Sequence, residues 1–89
     1  MKYEWDPVKA ELNFKKHDVS FEEALAVFDD PASIDLYDDA HSDNEPRFNI
    51  IGLTESGIVF VVYTERAPNI IRIISARKAT KYEEKEYFR

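Results

Sequence analysis

The chain has 89 residues, which suits one domain with a single core and is too short for two. An apolar content of 44% with 13% aromatic residues indicates a folded protein and excludes a disordered chain. The absence of cysteine excludes disulfides and thiolate chemistry, and no apolar run approaches the ~20 residues of a membrane span. Because the N-terminus lacks the apolar segment of a signal peptide, we expect a cytoplasmic protein that does not bind membranes.

The net charge of −6 is distributed unevenly along the chain. Residues 1–19 contain equal numbers of basic and acidic side chains. Residues 20–62 contain one basic and ten acidic side chains, whereas residues 63–89 contain seven basic and four acidic ones. The overall acidity argues against general nucleic-acid binding, but the basic C-terminal third suits an anionic substrate and the acidic middle suits a basic partner.

The first third of the chain predicts a short strand over residues 2–5 and two helices. Asp6 followed by Pro7 is typical of a helix start, and this helix is expected to end near Asp18, which tolerates a left-handed backbone. The expected apolar side of this helix consists of Val8, Leu12 and Phe14. Ser20 and Glu23 form a capping box for a second helix of about nine residues.

The remainder predicts strands followed by a C-terminal helix. We expect a short edge strand over residues 33–38, an acidic loop over 38–46, and strands over 47–54, 57–65 and 70–77. Short turns between the last three strands favour an antiparallel meander. Thr80 and Glu83 form a second capping box, which begins the last helix. The predicted fold is one α+β domain over residues 1–89, with a compact antiparallel sheet, N-terminal helices and a C-terminal helix.

The most informative strand covers residues 70–78, because it combines four isoleucines with the cations Arg72, Arg77 and Lys78. Apolar residues on both faces indicate a strand inside the sheet. Charges there are costly unless each reaches water, an acidic partner or an anion. Regular alternation puts Arg72 and Arg77 on opposite faces, so the two can share a site only if the strand is bulged or twisted.

Motifs along nearly the whole chain resemble the BrnT family of type II toxins, which is related in fold to RelE and ParE. The matching motifs are Glu4-Trp5-Asp6, Lys16-His17, Ser20-Phe21-Glu22-Glu23-Ala24, Val27-Phe28-Asp29-Asp30-Pro31, Arg47-Phe48, Val62-Tyr63-Thr64-Glu65-Arg66 and Arg72-Ile73-Ile74-Ser75-Ala76-Arg77-Lys78-Ala79. The resemblance implies a RelE-like sheet and a small ribonuclease that arrests translation. It also implies neutralisation by a BrnA-like ribbon-helix-helix antitoxin, in a complex with two copies of each chain that binds operator DNA through the antitoxin.

RNA cleavage without a metal requires a base, cations that stabilise the phosphorane and an acid for the leaving oxygen. The predicted catalytic residues are His17 or Lys16 for proton transfer and Arg47, Arg72 and Arg77 for the phosphate. The predicted substrate-binding residues are Arg66, Ser75, Lys78 and Tyr87. Structural roles compete with these assignments, because the arginines can form ion pairs, His17 can cap its helix and Tyr87 can pack the last helix.

We expect no cofactor and no metal. The acidic segment contains Asp35, Asp38, Asp39, His41, Asp43 and Glu45, but their spacing fits neither a calcium loop nor a zinc helix, which favours a solvated loop or an antitoxin contact. Two other functions remain open. One is a non-catalytic binding protein of the same fold, which the acidic middle favours, and the other is a ParE-like gyrase inhibitor.

Overall fold

The computed structural model describes residues 1–37 and 45–89 and contains a five-stranded sheet with helices on both of its faces. The elements follow in the order β1 (Lys2–Glu4), α1 (Pro7–His17), α2 (Phe21–Ala24), a 3₁₀ helix (Leu25–Asp29), β2 (Ile34–Tyr37), β3 (Phe48–Thr54), β4 (Gly57–Ala67), β5 (Ile70–Lys78) and α3 (Lys81–Tyr87). The predicted α+β class is confirmed. In the described part of the chain, no helix has the length and apolar character that crossing a membrane requires.

The sheet has the strand order β1-β5-β4-β3-β2 and is mixed rather than wholly antiparallel. Strands β3 to β5 form the predicted antiparallel meander, and β2 pairs antiparallel with β3 at the edge of the sheet. The expectation of an antiparallel sheet is wrong for β1, which pairs parallel to β5 with Lys2 opposite Ile70 and Glu4 opposite Arg72. These two strands are not joined by a turn, because α1, α2, the 3₁₀ helix and β2 to β4 lie between them in the chain.

The helices begin at the side chains that the sequence marks as caps. Asp6 accepts hydrogen bonds from the first turn of α1, and Asp18 ends that helix with a left-handed φ of 58°. Both predicted capping boxes are present, at Ser20 for α2 and at Thr80 for α3. The second helix is shorter than expected, because α2 has only four residues and continues as the 3₁₀ helix.

The main core lies between one face of the sheet, here called the core face, and the helices α1, α2 and 3₁₀. Its fully buried side chains are Val19, Phe21, Ala24 and Val27 from the helical segment and Val59, Val61 and Ala76 from the strands. The 3₁₀ helix approaches β3 closely at Gly52, where an added Cβ would lie 2.8 Å from the Cβ of Val27. Glycine is therefore required at this position by close packing.

Helix α1 packs through a different side from the one its apolar residues predict. Val8 and Leu12 are 66% and 60% exposed, so the expectation that they form the packed side is wrong. The partly buried residues of α1 are instead Ala10, Asn13 and His17. The Asn13 amide donates to Ala76 O at 2.8 Å and accepts from Ala76 N at 3.2 Å, and it also donates to Val19 O. Beyond the end of β1, this amide forms the hydrogen bonds to the main chain of β5 that a neighbouring strand would otherwise form.

The opposite face of the sheet, here called the outer face, is covered at one end by α3. Among the described residues, Glu83 of this helix pairs with Arg77, and the Tyr87 hydroxyl donates to Asp30 Oδ2 at 2.6 Å. Between α3 and the sheet lies a groove of about 380 Å³, here called the α3 groove, which is lined by Ile34, Leu36, Ile51, Phe60, Tyr82, Glu83, Glu86 and Arg89.

Candidate functional site

A β-bulge in β5 decides which side chains reach the outer face. Ser75 pairs with Val62 and Ile73 with Tyr63, so Ile74 has no partner in β4. The buried residues of β5 are Ile71, Ile73 and Ala76, whose spacing changes from two to three at the bulge. Arg72 and Arg77 therefore both point away from the core face, which answers the question that regular alternation had left open.

Two adjoining cavities meet at the bulge. The first, here called the arginine cavity, has a volume of about 390 Å³ and is lined by Arg47, Asn49, Phe60, Val62, Ile74, Ser75 and Arg77. The second, here called the lysine cavity, has a volume of about 330 Å³ and is lined by Lys9, Leu12, Asn13, Lys16, His17, Ile74 and Ser75. They share Ile74 and Ser75, so together they form one trough from the end of α1 across β5 to β3.

The trough joins five of the nine predicted site residues, which come from three separate parts of the chain. Lys16 and His17 lie at the C-terminal end of α1, Ser75 lies in the bulge, and Arg47 and Arg77 lie on the outer face. No acidic side chain lines either cavity among the described residues. The trough thus presents positive charge over an apolar floor, which is an arrangement that suits a phosphodiester with its attached sugars and bases.

Arg77 is held rigidly on the wall of the arginine cavity. Its Nη1 and Nη2 donate to the two carboxylate oxygens of Glu83 at 2.8 and 3.0 Å, and Nη1 also donates to the Lys78 carbonyl. Its guanidinium carbon lies 4.2 Å from the ring centroid of Phe60, the residue directly opposite in β4. Burial raises the pKa of Glu83, but the hydrogen bonds from Arg77 and Thr80 outweigh burial, so the pKa is lowered overall and the pair stays ionised.

The ion pair leaves one edge of the Arg77 guanidinium available. Glu83 takes the end-on edge, formed by Nη1 and Nη2. A guanidinium has five N–H groups, and the Nε–H and the second Nη2–H, which lie together on the side-on edge, have no partner in the described residues. That edge matches two oxygens of a phosphate. Arg77 can therefore serve both α3 and an anion in the cavity.

Arg47 reaches the cavity because the segment before β3 crosses the outer face. The Thr64 hydroxyl, which is fully buried, donates a hydrogen bond to the Pro46 carbonyl. This bond fixes the chain one residue before Arg47, whose side chain then lines the arginine cavity together with Asn49.

The other four predicted residues lie outside the trough. Arg72 pairs with Glu4 at 2.8 Å, at the end of the sheet where β1 joins β5. Arg66 is exposed near the end of β4, and Lys78 is exposed at the end of β5. The Tyr87 hydroxyl is bonded to Asp30, and its ring packs edge-on against Phe88.

The acidic segment that was considered as a metal site lies largely outside the described residues, which exclude Asp38, Asp39, His41 and Asp43. Asp35 accepts a hydrogen bond from the Tyr63 hydroxyl at 2.7 Å. Across residues 1–37 and 45–89, no group of acidic residues and histidines is arranged to hold a metal ion.

Sequence reasoning did not identify three residues that shape the arginine cavity: Asn49, Phe60 and Glu83. Asn49 was detectable as the one polar residue in the run from Phe48 to Ile51. Glu83 was recognised only as a helix cap, because nothing in the sequence pairs it with Arg77. The sequence does not distinguish Phe60 from the other apolar residues of its strand, because its contact with Arg77 depends on the register between β4 and β5.

The fold is shared with a toxin of known structure. The 1.1 Å crystal structure of the ribonuclease toxin BrnT from Brucella abortus matches with a TM-score of 0.72 and 24% sequence identity, over 91% of this chain and 99% of that chain. The chain is therefore a small α+β protein with the same fold as that toxin. No curated protein matches the chain.

The family is defined by the sequence itself. A family model described as "Ribonuclease toxin, BrnT, of type II toxin-antitoxin system" matches residues 5–83. The chain therefore belongs to the BrnT family of ribonuclease toxins, which confirms the resemblance stated from its motifs. Membership in a type II toxin–antitoxin family implies that its partner is a protein antitoxin.

Proposed function

We propose that the chain is a metal-independent endoribonuclease that cleaves RNA in the trough and thereby inhibits translation. The observation that carries this proposal is the meeting of the arginine and lysine cavities at the β5 bulge. Two arginines lie on one side of Ser75, and two lysines with a histidine lie on the other. These are the parts that phosphodiester cleavage without a metal requires.

The proposed reaction is an internal transesterification. The ribose 2′-oxygen attacks the adjacent phosphorus while its proton passes to one of the two side chains His17 and Lys16. The bond from phosphorus to the 5′-oxygen breaks as that oxygen takes a proton from the other side chain or from water. The products are a 2′,3′-cyclic phosphate and a 5′-hydroxyl. Arg47 and the side-on edge of Arg77 stabilise the negative charge on the phosphorane oxygens, and the Ser75 hydroxyl hydrogen-bonds the substrate.

The cations outside the trough have a different proposed role. We propose that Arg66, Arg72 and Lys78 attract the RNA strand outside the trough, where each contact adds affinity that depends on salt concentration. Tyr87 is already bonded to Asp30, and we include it only as a residue that holds α3 in place.

The test is cleavage of a mixed-sequence RNA by the purified protein in excess EDTA. We expect cleavage that leaves 2′,3′-cyclic phosphate ends and that falls by about 10²–10⁴-fold in His17→Ala if His17 transfers the proton, the range typical of general acid–base catalysis. Lys16→Ala tests the other proton-transfer assignment. Its matched control is Lys15→Ala, which removes a neighbouring exposed lysine that pairs with Glu11 and lines neither cavity.

Arg77 requires a control for folding, because its removal leaves the largely buried Glu83 carboxylate without its ion pair. Arg77→Lys keeps a positive charge but lacks the side-on edge, so cleavage should fall while the thermal midpoint falls less than in Arg77→Ala. Arg66→Ala removes an exposed arginine outside the trough, so it should weaken RNA binding while leaving the cleavage rate at saturating RNA nearly unchanged. Equal rates in Arg77→Lys and the wild type would contradict the phosphate role of Arg77.

We further propose that the antitoxin is BrnA-like, with a ribbon-helix-helix domain that binds operator DNA, and that it forms a cytoplasmic complex with two copies of each chain. The support is family membership. Co-expression of the chain with the protein encoded beside it, followed by light scattering of the purified complex, measures the stoichiometry. A molar mass that differs from two copies of each would reject the proposed assembly.

One observation favours a second candidate, a non-catalytic protein of the same fold that acts by docking on its antitoxin or on another partner. Residues 20–62 contain ten acidic side chains and one basic one, which repels RNA and attracts a basic partner. The EDTA assay, repeated on translating ribosomes, separates the two functions. Survival of cells that express the chain, together with no RNA cleavage on ribosomes or off them, would make the binding protein the better description. Growth arrest without RNA cleavage would instead favour the ParE-like gyrase inhibitor.

A further inference from the structure

Among the described residues that line the arginine cavity, Asn49 is the one polar side chain that the proposed cleavage does not use. It is the second residue of β3 and pairs with Leu36 of β2 on one side and with Val62 of β4 on the other. Its side-chain oxygen, Oδ1, is buried and accepts no hydrogen bond from the described residues. Because buried polar groups in folded proteins are almost always hydrogen-bonded, this acceptor requires an explanation.

Asparagine weakens the fold at this position for two reasons. It is depleted in β-strands, and a buried acceptor without a partner costs folding free energy. Leucine has nearly the same shape and would avoid both costs, because the cross-strand neighbours Leu36 and Val62 are apolar. Residues that oppose the local fold without a structural return are expected at functional sites. The amide of Asn49 is therefore better explained by a ligand than by the stability of the sheet.

Asn49 lies in line with residues that contact the phosphate in the proposed reaction. It is opposite Val62, and Val62 is opposite Ser75, so these three residues form one row across the outer face. Neighbouring strands are about 4.8 Å apart, which puts Asn49 about 10 Å from Ser75. A nucleotide whose phosphate contacts Ser75 and Arg77 is long enough to lay its base over Val62, with one edge of the base at Asn49.

The chemistry of the amide indicates which base fits. An asparagine side chain offers an acceptor and a donor side by side, so it pairs with a base edge that has an N–H next to an acceptor. Adenine alone among the four RNA bases has such a pair on both its Watson–Crick and its Hoogsteen edge, and asparagine pairs with adenine through two hydrogen bonds. The terminal torsion of asparagine is broad, so the amide can turn Oδ1 towards the cavity without a change in χ1.

We propose that Asn49 is a specificity-determining residue, whose amide recognises adenine in the nucleotide next to the cleaved phosphate. This inference rests on the proposed function, in which Arg77 and Ser75 position the RNA. Contacts to phosphate fix the register of a nucleic-acid strand but carry no sequence information. Asn49 supplies that information from the same cavity, and Val62 provides the apolar surface beneath the base.

The test measures RNA binding separately from RNA cleavage. Short 2′-O-methyl oligonucleotides of adenosine, cytidine or uridine can bind but cannot be cleaved, because their 2′-oxygens are blocked. Fluorescence anisotropy gives the affinity of each for the wild type, for Asn49→Leu and for a matched control. The control is Leu53→Ala, which changes a 54% exposed residue of the same strand outside the trough.

We expect the wild type to bind the adenosine oligonucleotide at least about fivefold more tightly than the other two, the lower end for a bidentate pair with a base. Leu53→Ala should keep this preference. Asn49→Leu should bind all three oligonucleotides alike, and its Tm should equal or exceed that of the wild type, because leucine leaves no buried acceptor without a partner. Cleavage sites in a mixed-sequence RNA, mapped in parallel, should lie next to adenine in the wild type and lose this preference in Asn49→Leu.

Other outcomes overturn the proposal. Equal affinity of the wild type for the three oligonucleotides, or an adenosine preference that survives in Asn49→Leu, would show that Asn49 does not recognise adenine. A clearly lower Tm in Asn49→Leu would assign the asparagine a structural role instead. Cleavage without a base preference contradicts this inference and leaves the proposed nuclease standing. Adenosine-selective binding that is lost in Asn49→Leu, in a chain that cleaves no RNA, contradicts the nuclease and leaves the recognition by Asn49 standing.

Discussion

Replacing Asn13 by alanine tests the contact that fixes α1 to β5 beside the trough. The substitution removes three hydrogen bonds and leaves Ala76 N, Ala76 O and Val19 O without the partner they have in the wild type. Ala76 and Val19 are both fully buried. An orphaned buried backbone group costs about 1–3 kcal/mol, and water reaches part of the vacated space because α1 lies on the surface. We therefore expect a loss of about 3 kcal/mol in the free energy of unfolding.

For a domain of this size, a loss of about 3 kcal/mol lowers Tm by roughly 12–24 °C. Urea unfolding followed by the fluorescence of Trp5, which packs edge-on against Phe21, measures the free energy directly. Glu11→Ala is the matched control, because its side chain is 69% exposed on the same helix. A change within about 0.5 kcal/mol for Asn13→Ala, as is usual for surface positions, would refute the argument that this amide substitutes for a neighbouring strand.

Three further predictions concern stability. Gly52→Ala places a Cβ 2.8 Å from the Cβ of Val27, so overpacking should lower the free energy of unfolding by about 1–3 kcal/mol in thermal unfolding. An unchanged Tm would mean that the 3₁₀ helix shifts to make room at no cost. Hydrogen bonds from Tyr87 and two backbone amides lower the pKa of Asp30 from its ordinary 3.8. These bonds therefore stabilise the folded protein above pH 3.8, and that stabilisation is lost as the pH falls through the lower pKa of Asp30 in the folded state. Asp30→Asn should therefore flatten the acid side of the stability curve, and a curve that parallels the wild type would contradict this. Glu83→Gln keeps an acceptor for the capping box of α3 but loses the ion pair, so its Tm should fall less than that of Glu83→Ala. Equal Tm values in the two variants would show that the capping box adds no stability beyond the ion pair.

Local chemistry in the sequence predicted the helix boundaries because caps act over three or four residues. Asp6, Ser20 and Thr80 cap the helices that they were expected to begin, and Asp18 has the left-handed backbone that ends α1. The β-branched runs likewise predicted β3, β4 and β5 to within two residues of their observed ends. Motif similarity further identified the family, which a physical reading of single residues does not provide.

Tertiary structure alone decided which faces those elements present. The sequence assigns Val8 and Leu12 to the packed side of α1, but the unpaired edge of β5 requires a hydrogen-bonding partner, so Asn13 faces the sheet instead. Likewise the bulge at Ile74, set by the register between β4 and β5, brings Arg77 to the same face as Arg72 and forms the trough. Both outcomes depend on partners distant in the chain. The sequence by itself therefore determined the elements and the family, whereas the assembly of the site was decided by long-range pairing.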